Sequence, residues 1–469
     1  MIGIKAYGGY VPLYRLGKST VGWNPPVEKP IASHDEDSIT MAVAAAMNCL
    51  GNMERSSIDG LYFGSTSSPY REKQAAATIA TALNLRDDIA VRDFTGSLRA
   101  GTTALSSAVE TVKSGAAKQI LVTMADVRVA VSGSDLERSI GDGAAAFLVS
   151  DSEVVAALEG SYQLYDEIYD VWRAQGDATL RSWEDRFAFD EGYLRLMPKA
   201  LSQVMAQKEL KPGDFSRAVF YAPDARRIRE LTTKLGFDVK SQVEDPLFGT
   251  MGNTGVAFAP MLLVSALEKS KPGERIIVGN YGGGADAFIF TVTPEIEKAK
   301  GKGGPSKLLE SKEILPDYRV YAWWRGLTEV APGRRRPPPD APSASALFRE
   351  RKKNIAFLGV KCLNCGQPQY PPQRVCTFCH SKDKFEDYRF SDRKATLFTY
   401  AMDYIGGTMN PPIVISMVDF DGGGRAMLEM TDRNIDNISI GMPLQMTFRK
   451  LFSTEGFDNY YWRCMPPRG

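Results

Sequence analysis

Residues 141–149 of this chain read GDGAAAFLV, and residues 282–290 read GGGADAFIF. Each segment opens with glycines and continues as a mostly apolar run of strand length. Both come after a short apolar strand pattern, which itself follows an apolar helical run. Because strand and helix patterns alternate in the same order in both places, the sequence predicts an α/β layered unit that is present twice.

Other landmarks keep a nearly constant offset between the two halves. Matching positions lie 158, 159 and 156 residues apart, in the pairs Tyr62 with Phe220, Thr95 with Thr254, and Ile120 with Ile276. A repeat of this length is far too long for a solenoid unit. We therefore expect two packed α/β halves, at about residues 1–160 and 161–332, that together form a domain over residues 1–332.

Composition limits the classes of protein to which the chain can belong. Of its 469 residues, 43% are hydrophobic and 24% are charged, as in soluble globular proteins of two or three domains. The formal net charge of +1 argues against a nucleic-acid-binding surface. Apolar runs are too short to cross a membrane, and the N-terminus lacks the pattern of a signal peptide. We expect a cytoplasmic protein that binds neither nucleic acid nor membranes.

Four of the six cysteines lie in the segment CLNCGQPQYPPQRVCTFC, residues 362–379. Two Cys-x2-Cys pairs separated by ten residues have the ligand type and the spacing of a four-thiolate zinc site. The predicted ligands are Cys362, Cys365, Cys376 and Cys379. Four protein ligands leave no open position, so we expect the zinc to be structural. The alternative is a ribbon that keeps its cysteines without binding metal.

The segments around the cysteines predict a separate tail. Residues 333–343, GRRRPPPDAPS, have the composition of a linker, although the arginines offer charge for acidic groups. A charged helix and the ribbon follow over residues 344–385. Four short strand patterns separated by Gly, Asp and Asn turns then predict a small β-barrel over residues 386–469.

Several motifs resemble known families. Residues 1–330 resemble the thiolase superfamily, in its hydroxymethylglutaryl-CoA synthase and ketoacyl synthase III branch, through segments 64–70 (GSTSSPY), 93–102 (DFTGSLRAGT), 172–173 (WR), 186–193 (RFAFDEGY), 252–255 (GNTG) and 281–288 (YGGGADAF). Residues 344–469 resemble the zinc-ribbon and OB-fold accessory proteins of the DUF35 type, through segments 371–376 (PPQRVC) and 440–444 (IGMPL).

The resemblance implies a duplicated thiolase-like αβαβα layered fold, followed by a rubredoxin-like zinc ribbon and an OB-fold barrel. It also implies a coenzyme A thioester as substrate or ligand, with Gly283, Gly284 and Arg374 as binding residues. The families further imply a homodimer, or a heteromer with a thiolase-family subunit, because accessory modules of this type dock on condensing enzymes.

The family's catalytic residues are replaced in this chain. The nucleophilic cysteine aligns with Leu98, the histidine with Tyr221 and the glutamate with Thr66, whereas Asn253 and the glycine loop are present. Leucine cannot attack a thioester, so acyl transfer through a cysteine is excluded at this position.

The remaining cysteine and histidine of the first 360 residues offer little chemistry. Cys49 lies in a strongly apolar helical run and is expected to be a buried structural thiol. His34 lies in a polar segment before a helix and is expected to be a solvated loop residue.

Three functions remain open, and the sequence does not decide whether the domain is catalytic. The leading hypothesis is an acyl-CoA-binding subunit without chemistry of its own that works beside an active thiolase chain. The second is a cysteine-independent lyase for a 3-hydroxyacyl-CoA, with Tyr221, Asp224 and Asn253 as the candidate catalytic set. The third is a scaffold or channelling protein. Tyr221 has the alternative role of a pocket-filling aromatic, since an unperturbed tyrosine with a pKa of about 10 is a poor base.

Overall fold

The computed structural model describes residues 1–299, 304–329 and 340–468. The chain forms two compact units. The first comprises Met1–Ser33, Asp37–Ile79 and Leu85–Leu327, and the second comprises His34–Glu36, Ala80–Asn84 and Thr328–Gly469. Most of the predicted linker, residues 333–339 with their arginine run, lies outside the described residues.

Strands and helices alternate along the first 327 residues. The strands are β1 Gly3–Tyr10, β2 Tyr14–Leu16, β3 Lys29–Pro30, β4 Gly60–Gly64, β5 Ala90–Phe94, β6 Gln119–Asp126, β7 Gly143–Ser150, β8 Ala156–Tyr165, β9 Val171–Trp172, β10 Arg181–Ser182, β11 Arg217–Phe220, β12 Arg275–Tyr281, β13 Gly284–Val292 and β14 Glu313–Ile314. The helices are α1 Ser38–Leu50, α2 Ala75–Ala82, α3 Ala100–Lys113, α4 Asp135–Ser139, α5 Asp185–Phe187, α6 Leu194–Gln207, α7 Ala225–Leu235, α8 Phe258–Lys269, α9 Ile296–Ala299, α10 Pro305–Glu310 and α11 Tyr318–Trp324. Short 3₁₀ turns lie at Arg55–Ser57, Pro212–Asp214 and Gly255–Ala257, and a π-helical turn lies at Ala188–Tyr193.

A nine-stranded sheet in the order β11-β12-β13-β8-β1-β7-β6-β4-β5 carries the first unit. Its two flanks have the same pattern of pairings. On one flank, β1 pairs antiparallel with β7, β7 antiparallel with β6, and β6 parallel with β4. On the other, β8 pairs antiparallel with β13, β13 antiparallel with β12, and β12 parallel with β11. The halves join where Gly3 and Ile4 of β1 pair with Ala157 and Ala156 of β8. This repeated strand order confirms the predicted duplicated α/β fold.

Helices α3 and α8 hold the two halves together. Every residue of α8 from Phe258 to Leu267 is buried, which is the location expected for a helix that is apolar on all sides. At the start of α3, a Cβ on Gly101 would lie 2.9 Å from the carbonyl oxygen of Val256. Glycine therefore permits the main chain of the second half to approach α3 closely. This contact places the loop before α3 beside residues of the second half.

The second unit contains a ribbon and a barrel. Helix α12, Ala344–Asn354, precedes a three-stranded sheet in the order β16-β15-β17, formed by β15 Leu358–Cys362, β16 Pro368–Gln369 and β17 Phe385–Arg389. The barrel closes in the order β18-β19-β20-β22-β21, with β18 Ala395–Asp403, β19 Ile413–Phe420, β20 Arg425–Met430, β21 Pro443–Thr454 and β22 Phe457–Met465. A 3₁₀ turn lies at Ile435–Asn437. The predicted zinc-ribbon and small-barrel architecture is confirmed.

The closing strand β22 was not predicted from the sequence. Its alternation of polar and apolar residues is broken because the polar residues Asn459 and Arg463 are buried. In the portions of the chain that the structure describes, no helix is both long and apolar enough to span a membrane.

A buried ionic cluster lies inside the second unit. Arg449 of β21 bonds Asp35 at 3.2 Å, Glu36 at 3.0 Å and Asp432 at 2.6 Å, and these four side chains are at most 1% exposed. Arg463 of β22 adds a second contact to Asp35, at 2.8 Å. Burial alone would raise the pKa of Asp35, but the two guanidiniums outweigh it and hold that pKa well below its usual range.

Replacing Arg449 by methionine is expected to lower the free energy of unfolding of the second unit by about 3–5 kcal/mol, because three buried carboxylates lose their shared cation. The matched control is Arg425→Met, which removes an exposed pair with Asp419 and should cost about 0–1 kcal/mol. Urea denaturation of the full-length chain, followed by circular dichroism, measures both. Equal losses in the two variants would contradict the importance of the buried cluster.

Candidate active site and metal centre

The loop that precedes α3 is fixed to strands of the second half. Arg99 donates two hydrogen bonds to Asp286 of β13, at 3.0 and 2.7 Å, and Thr102 donates a third at 2.6 Å. The side-chain amide of Asn280 in β12 donates to the carbonyl oxygen of Leu98 at 3.1 Å. The loop therefore keeps a defined position, and Leu98, which is predicted to occupy the position of the nucleophile, is partly exposed.

The glycine loop between β12 and β13 approaches Leu98 directly. A Cβ on Gly282 would lie 2.9 Å from the Cβ of Leu98. Gly283 and Gly284 have φ values of +61° and +139°, and a Cβ on Gly284 would lie 2.4 Å from the carbonyl oxygen of Leu164. Glycine is required at this turn for both reasons. Among the described residues, no hydrogen-bond partner is found for the main-chain N–H of Gly283.

The carboxylate of Asp126, at the end of β6, organises the loop that contains Thr66. It accepts hydrogen bonds from the Thr66 main-chain N–H and hydroxyl, at 2.7 and 2.9 Å, and from the hydroxyls of Ser65 and Ser67, at 3.1 and 2.8 Å. It also accepts the main-chain N–H of Val256 from the second half, at 2.9 Å. Thr66, which is predicted from the sequence to align with the family's glutamate, therefore binds a buried aspartate.

Two of the predicted site residues, Tyr221 and Asn253, lie in contact. Tyr221 directly follows β11 and is 5% exposed. The side-chain amide of Asn253 donates to the Tyr221 hydroxyl at 3.0 Å, and the N–H of Gly255 fixes the amide by donating to its oxygen at 3.0 Å. Because Asn253 donates, Tyr221 retains its own proton for another acceptor. Burial raises the pKa of Tyr221, so the side chain is a neutral phenol at neutral pH.

Three residues that the sequence reasoning did not identify complete this cluster. Buried Arg128 lies two residues beyond β6 and interacts electrostatically with Tyr221 and with Asp170. The ring of Tyr281, the last residue of β12, lies 6.2 Å from the ring of Tyr221. Arg128 and Tyr281, like Tyr221, lie at or just beyond strand ends, where α/β proteins place functional side chains. That position was the signal from which Arg128 and Tyr281 could have been identified.

Asp224, the third residue of the predicted catalytic set, lies at the N-terminus of a helix. Its carboxylate caps helix α7 and accepts the main-chain N–H groups of Arg226 and Arg227, at 2.8 and 2.9 Å. This is the ordinary work of an aspartate at a helix N-cap. Arg374, the predicted CoA-binding residue of the second unit, is exposed and forms a two-point ion pair with Asp383, at 2.8 and 2.7 Å.

The isolated thiol and imidazole have no evident catalytic role. Cys49 is buried on α1, and burial raises the pKa of its thiol, as expected for an inert structural cysteine. The prediction that His34 is solvated is wrong. It is partly buried beside Asp35, and burial lowers the pKa of its imidazole to about 4, because the neighbouring segment packs into the second unit.

The four ribbon cysteines converge on one point. Their sulfur atoms all lie within 4.8 Å of one another, with 3.7 Å between Cys362 and Cys379 and 3.6 Å between Cys365 and Cys376. Zn–S bonds of about 2.3 Å give tetrahedron edges of about 3.8 Å, so the donor set fits zinc. The side-chain amide of Asn364 donates to Cys379 and lowers the pKa of that thiol to about 6.

Comparisons with known families agree with the two-part architecture. Residues 349–386 match the family model of the rubredoxin-like zinc ribbon domain of ChsH2, and residues 388–449 match that of the C-terminal OB-fold domain of ChsH2. A zinc ribbon match together with the four-cysteine cluster suggests structural zinc.

The rest of the chain is similar to synthases. The hydroxymethylglutaryl-CoA synthase of Methanopyrus kandleri is 34% identical over 336 residues, which cover 68% of this chain and 94% of that protein. The synthase of Pyrococcus horikoshii is 34% identical over 334 residues, with coverage of 68% and 95%.

Solved structures share the fold. A hydroxymethylglutaryl-CoA synthase complexed with CoA matches with a TM-score of 0.59 and 20% identity, covering 67% of this chain and 88% of that one. The 3-oxoacyl-[acyl-carrier-protein] synthase III of Aquifex aeolicus matches with a TM-score of 0.55 and 22% identity, covering 62% and 100%. The chain therefore belongs to the hydroxymethylglutaryl-CoA synthase family of the thiolase superfamily, and it carries ChsH2-type zinc ribbon and OB-fold domains in its C-terminal part.

Proposed function

We propose that this chain binds an acyl-CoA thioester and cleaves the carbon–carbon bond of a 3-hydroxyacyl-CoA without forming an acyl-enzyme. The observation that carries the proposal is the buried contact of Tyr221 with Asn253 beside Arg128. A guanidinium and several phenols are buried together there, and burial of each of these groups costs free energy when it leaves water. Clusters of this kind are characteristic of functional sites.

Binding of the thioester is supported by the retained family features. Leu98 and the glycine loop still face each other, and the N–H of Gly283 offers a hydrogen bond to an oxygen atom. A related synthase of the same fold has been solved with CoA. Arg374 remains a candidate for the CoA phosphates, although a ligand would have to compete with Asp383 for its guanidinium.

A retro-aldol reaction uses this arrangement without a nucleophile. The 3-hydroxyl group loses its proton, the Cα–Cβ bond breaks, and its electron pair moves onto the thioester as an enolate. Asn253 and the N–H of Gly283 hold the enolate oxygen, and the charge of Arg128 stabilises it. Tyr221 donates its proton to Cα. The products are a carbonyl compound and a shortened acyl-CoA, so atoms and charge balance.

A second candidate is the subunit without chemistry of its own, working beside an active thiolase chain. One observation that favours it is Leu98, which cannot act as a nucleophile. Another is the sheet edge at β5, where Ala90, Arg92 and Asp93 are exposed. An exposed strand edge offers main-chain hydrogen bonds to a partner strand. The same edge would serve a homodimer. An assay of the purified chain alone separates the candidates, because only the lyase turns over without a partner.

Replacing Tyr221 by phenylalanine is expected to lower turnover of a 3-hydroxyacyl-CoA by about 10²–10⁴-fold, because the proton donor for Cα is lost. Binding of acyl-CoA should persist. Release of free acyl-CoA, followed by liquid chromatography, measures turnover, and calorimetry measures binding.

The matched control for this experiment is Tyr62→Phe. Tyr62 is also buried and also forms one side-chain hydrogen bond, to Thr111 at 3.0 Å near the far end of α3. It should keep wild-type turnover. Full turnover by the Tyr221 variant, or none by the wild-type chain alone, would contradict the lyase.

We also propose that the ribbon holds one structural zinc ion and that the protein works in a reducing, cytoplasmic setting, since all six cysteines are free thiols. The zinc content of the purified full-length chain is expected to be about one ion per chain. Cys376→Ser should reduce it to near zero and lower the melting temperature, whereas Cys49→Ser should leave the zinc content unchanged. Atomic absorption provides the measurement, and a zinc-free wild-type chain would contradict the site.

A further inference from the structure

A retro-aldol cleavage needs an acceptor for the 3-hydroxyl proton, and the residues already placed do not supply one. Tyr221 is a neutral phenol, Arg128 is a cation, and Asp224 caps a helix. We propose that Asp170 is the general base of the reaction and that Tyr281 is the positioning residue that holds its carboxylate. This inference rests on the proposed lyase function and assigns the one catalytic group that function leaves open.

Asp170 lies where it can reach both the cluster and a ligand. It immediately precedes β9, and the main-chain N–H of Val171 donates to its Oδ1 atom. The residue is partly exposed, whereas Tyr221 and Asn253 are buried. The next residue, Val171, packs against the hydrophobic cluster of Ala130, which lies two residues beyond Arg128. A partly exposed carboxylate beside a buried phenol can accept the substrate hydroxyl while the phenol faces the substrate carbon.

Tyr281 offers a hydroxyl that can hold the carboxylate. This hydroxyl is buried, has no hydrogen-bond partner among the described residues and interacts electrostatically with Asp170. A Cβ on Gly192 would lie 2.2 Å from the Tyr281 hydroxyl and 3.1 Å from Cδ1 of Ile168, two residues before Asp170, so glycine leaves room for both. The Tyr281 ring packs edge-on against Tyr193 at 5.6 Å. A buried phenol without a partner beside this segment is available to donate to Asp170.

The surroundings of Asp170 strengthen its carboxylate as a base. Burial raises the pKa of its carboxyl group, and the Val171 N–H, the Tyr281 hydroxyl and the Arg128 cation oppose that rise. Tyr221 is the other titratable group that interacts with it. A carboxylate whose pKa is raised is a stronger base than an exposed aspartate.

With this assignment, the proton transfers of the reaction balance within the site. Asp170 accepts the proton of the 3-hydroxyl group as the Cα–Cβ bond breaks, and Tyr221 gives its proton to Cα. Transfer of a proton from the Asp170 carboxyl group to the Tyr221 phenolate restores both residues. The net change moves one proton from oxygen to carbon and consumes no other reactant.

Asp170→Asn tests the assignment in the full-length, zinc-loaded chain through cleavage and binding. Cleavage of a 3-hydroxyacyl-CoA is expected to fall by about 10²–10⁴-fold. Binding of the cleavage product, a shortened acyl-CoA, measured by calorimetry, should remain within about threefold of wild type. The product lacks the 3-hydroxyl group, so Asp170 accepts no proton from it.

The matched control is Asp166→Asn, because Asp166 lies four residues earlier and forms an exposed pair with Arg195. It should keep both cleavage and binding. Wild-type cleavage by the Asp170 variant, or loss of its acyl-CoA binding in parallel with cleavage, would overturn the role of Asp170. A wild-type chain that performs no cleavage would overturn the proposed function itself.

Tyr281→Phe tests the positioning role by a pH profile. Without the hydroxyl, the pKa of Asp170 should rise, so the acid limb of the cleavage rate should move to higher pH. A variant that is merely destabilised would lose rate without moving that limb. An unmoved acid limb would overturn the role of Tyr281.

Discussion

One buried carboxylate, that of Asp126, fastens together loops from both halves of the duplicated sheet. It accepts three hydroxyls and an N–H from residues 65–67 and a further N–H from Val256. Gly255 must remain glycine beside it, because its φ is +64° and a Cβ would lie 2.2 Å from Asp126 Oδ2. The placement of Asn253, two residues earlier, and therefore of the Tyr221 hydroxyl, follows from this anchor.

The scaffold around the candidate site is thus well ordered. The loop of Leu98 is held by Arg99 and Asn280, and the glycine turn closes against it. The proposed site contains phenols, a guanidinium and an aspartate. Such groups suit proton transfer and stabilisation of an oxyanion, and none of them forms a stable acyl intermediate as readily as a thiolate.

Much of this was predictable from sequence, and the exceptions have physical causes. The strand and helix periods located β6, β12, α3 and α8, and the cysteine spacing located the ribbon. Strand β22 was not predicted because Asn459 and Arg463 are buried. Their burial breaks the alternation of polar and apolar residues on which strand prediction depends. His34 was predicted to be solvated because it lies in a polar segment. In the structure, Arg449 and Arg463 pair with Asp35 of that segment and so allow it to be buried.

Within the site, the pair of Tyr221 and Asn253 followed from the family motifs, whereas Arg128 and Asp170 did not. Their proposed roles depend on tertiary neighbours that are distant in sequence, and single charged residues near strand ends carry no local signature. Asp224 is the converse case. It was a candidate because it lies near Tyr221 in sequence, but its carboxylate forms the N-cap of helix α7.

The central claim is carbon–carbon cleavage without an acyl-enzyme, and intact-protein mass spectrometry during turnover tests it most directly. The full-length chain is mixed with a 3-hydroxyacyl-CoA and quenched while free acyl-CoA is accumulating. The account predicts product together with a protein of unmodified mass. A protein mass increased by one acyl group, or the absence of product from the chain alone, would contradict it.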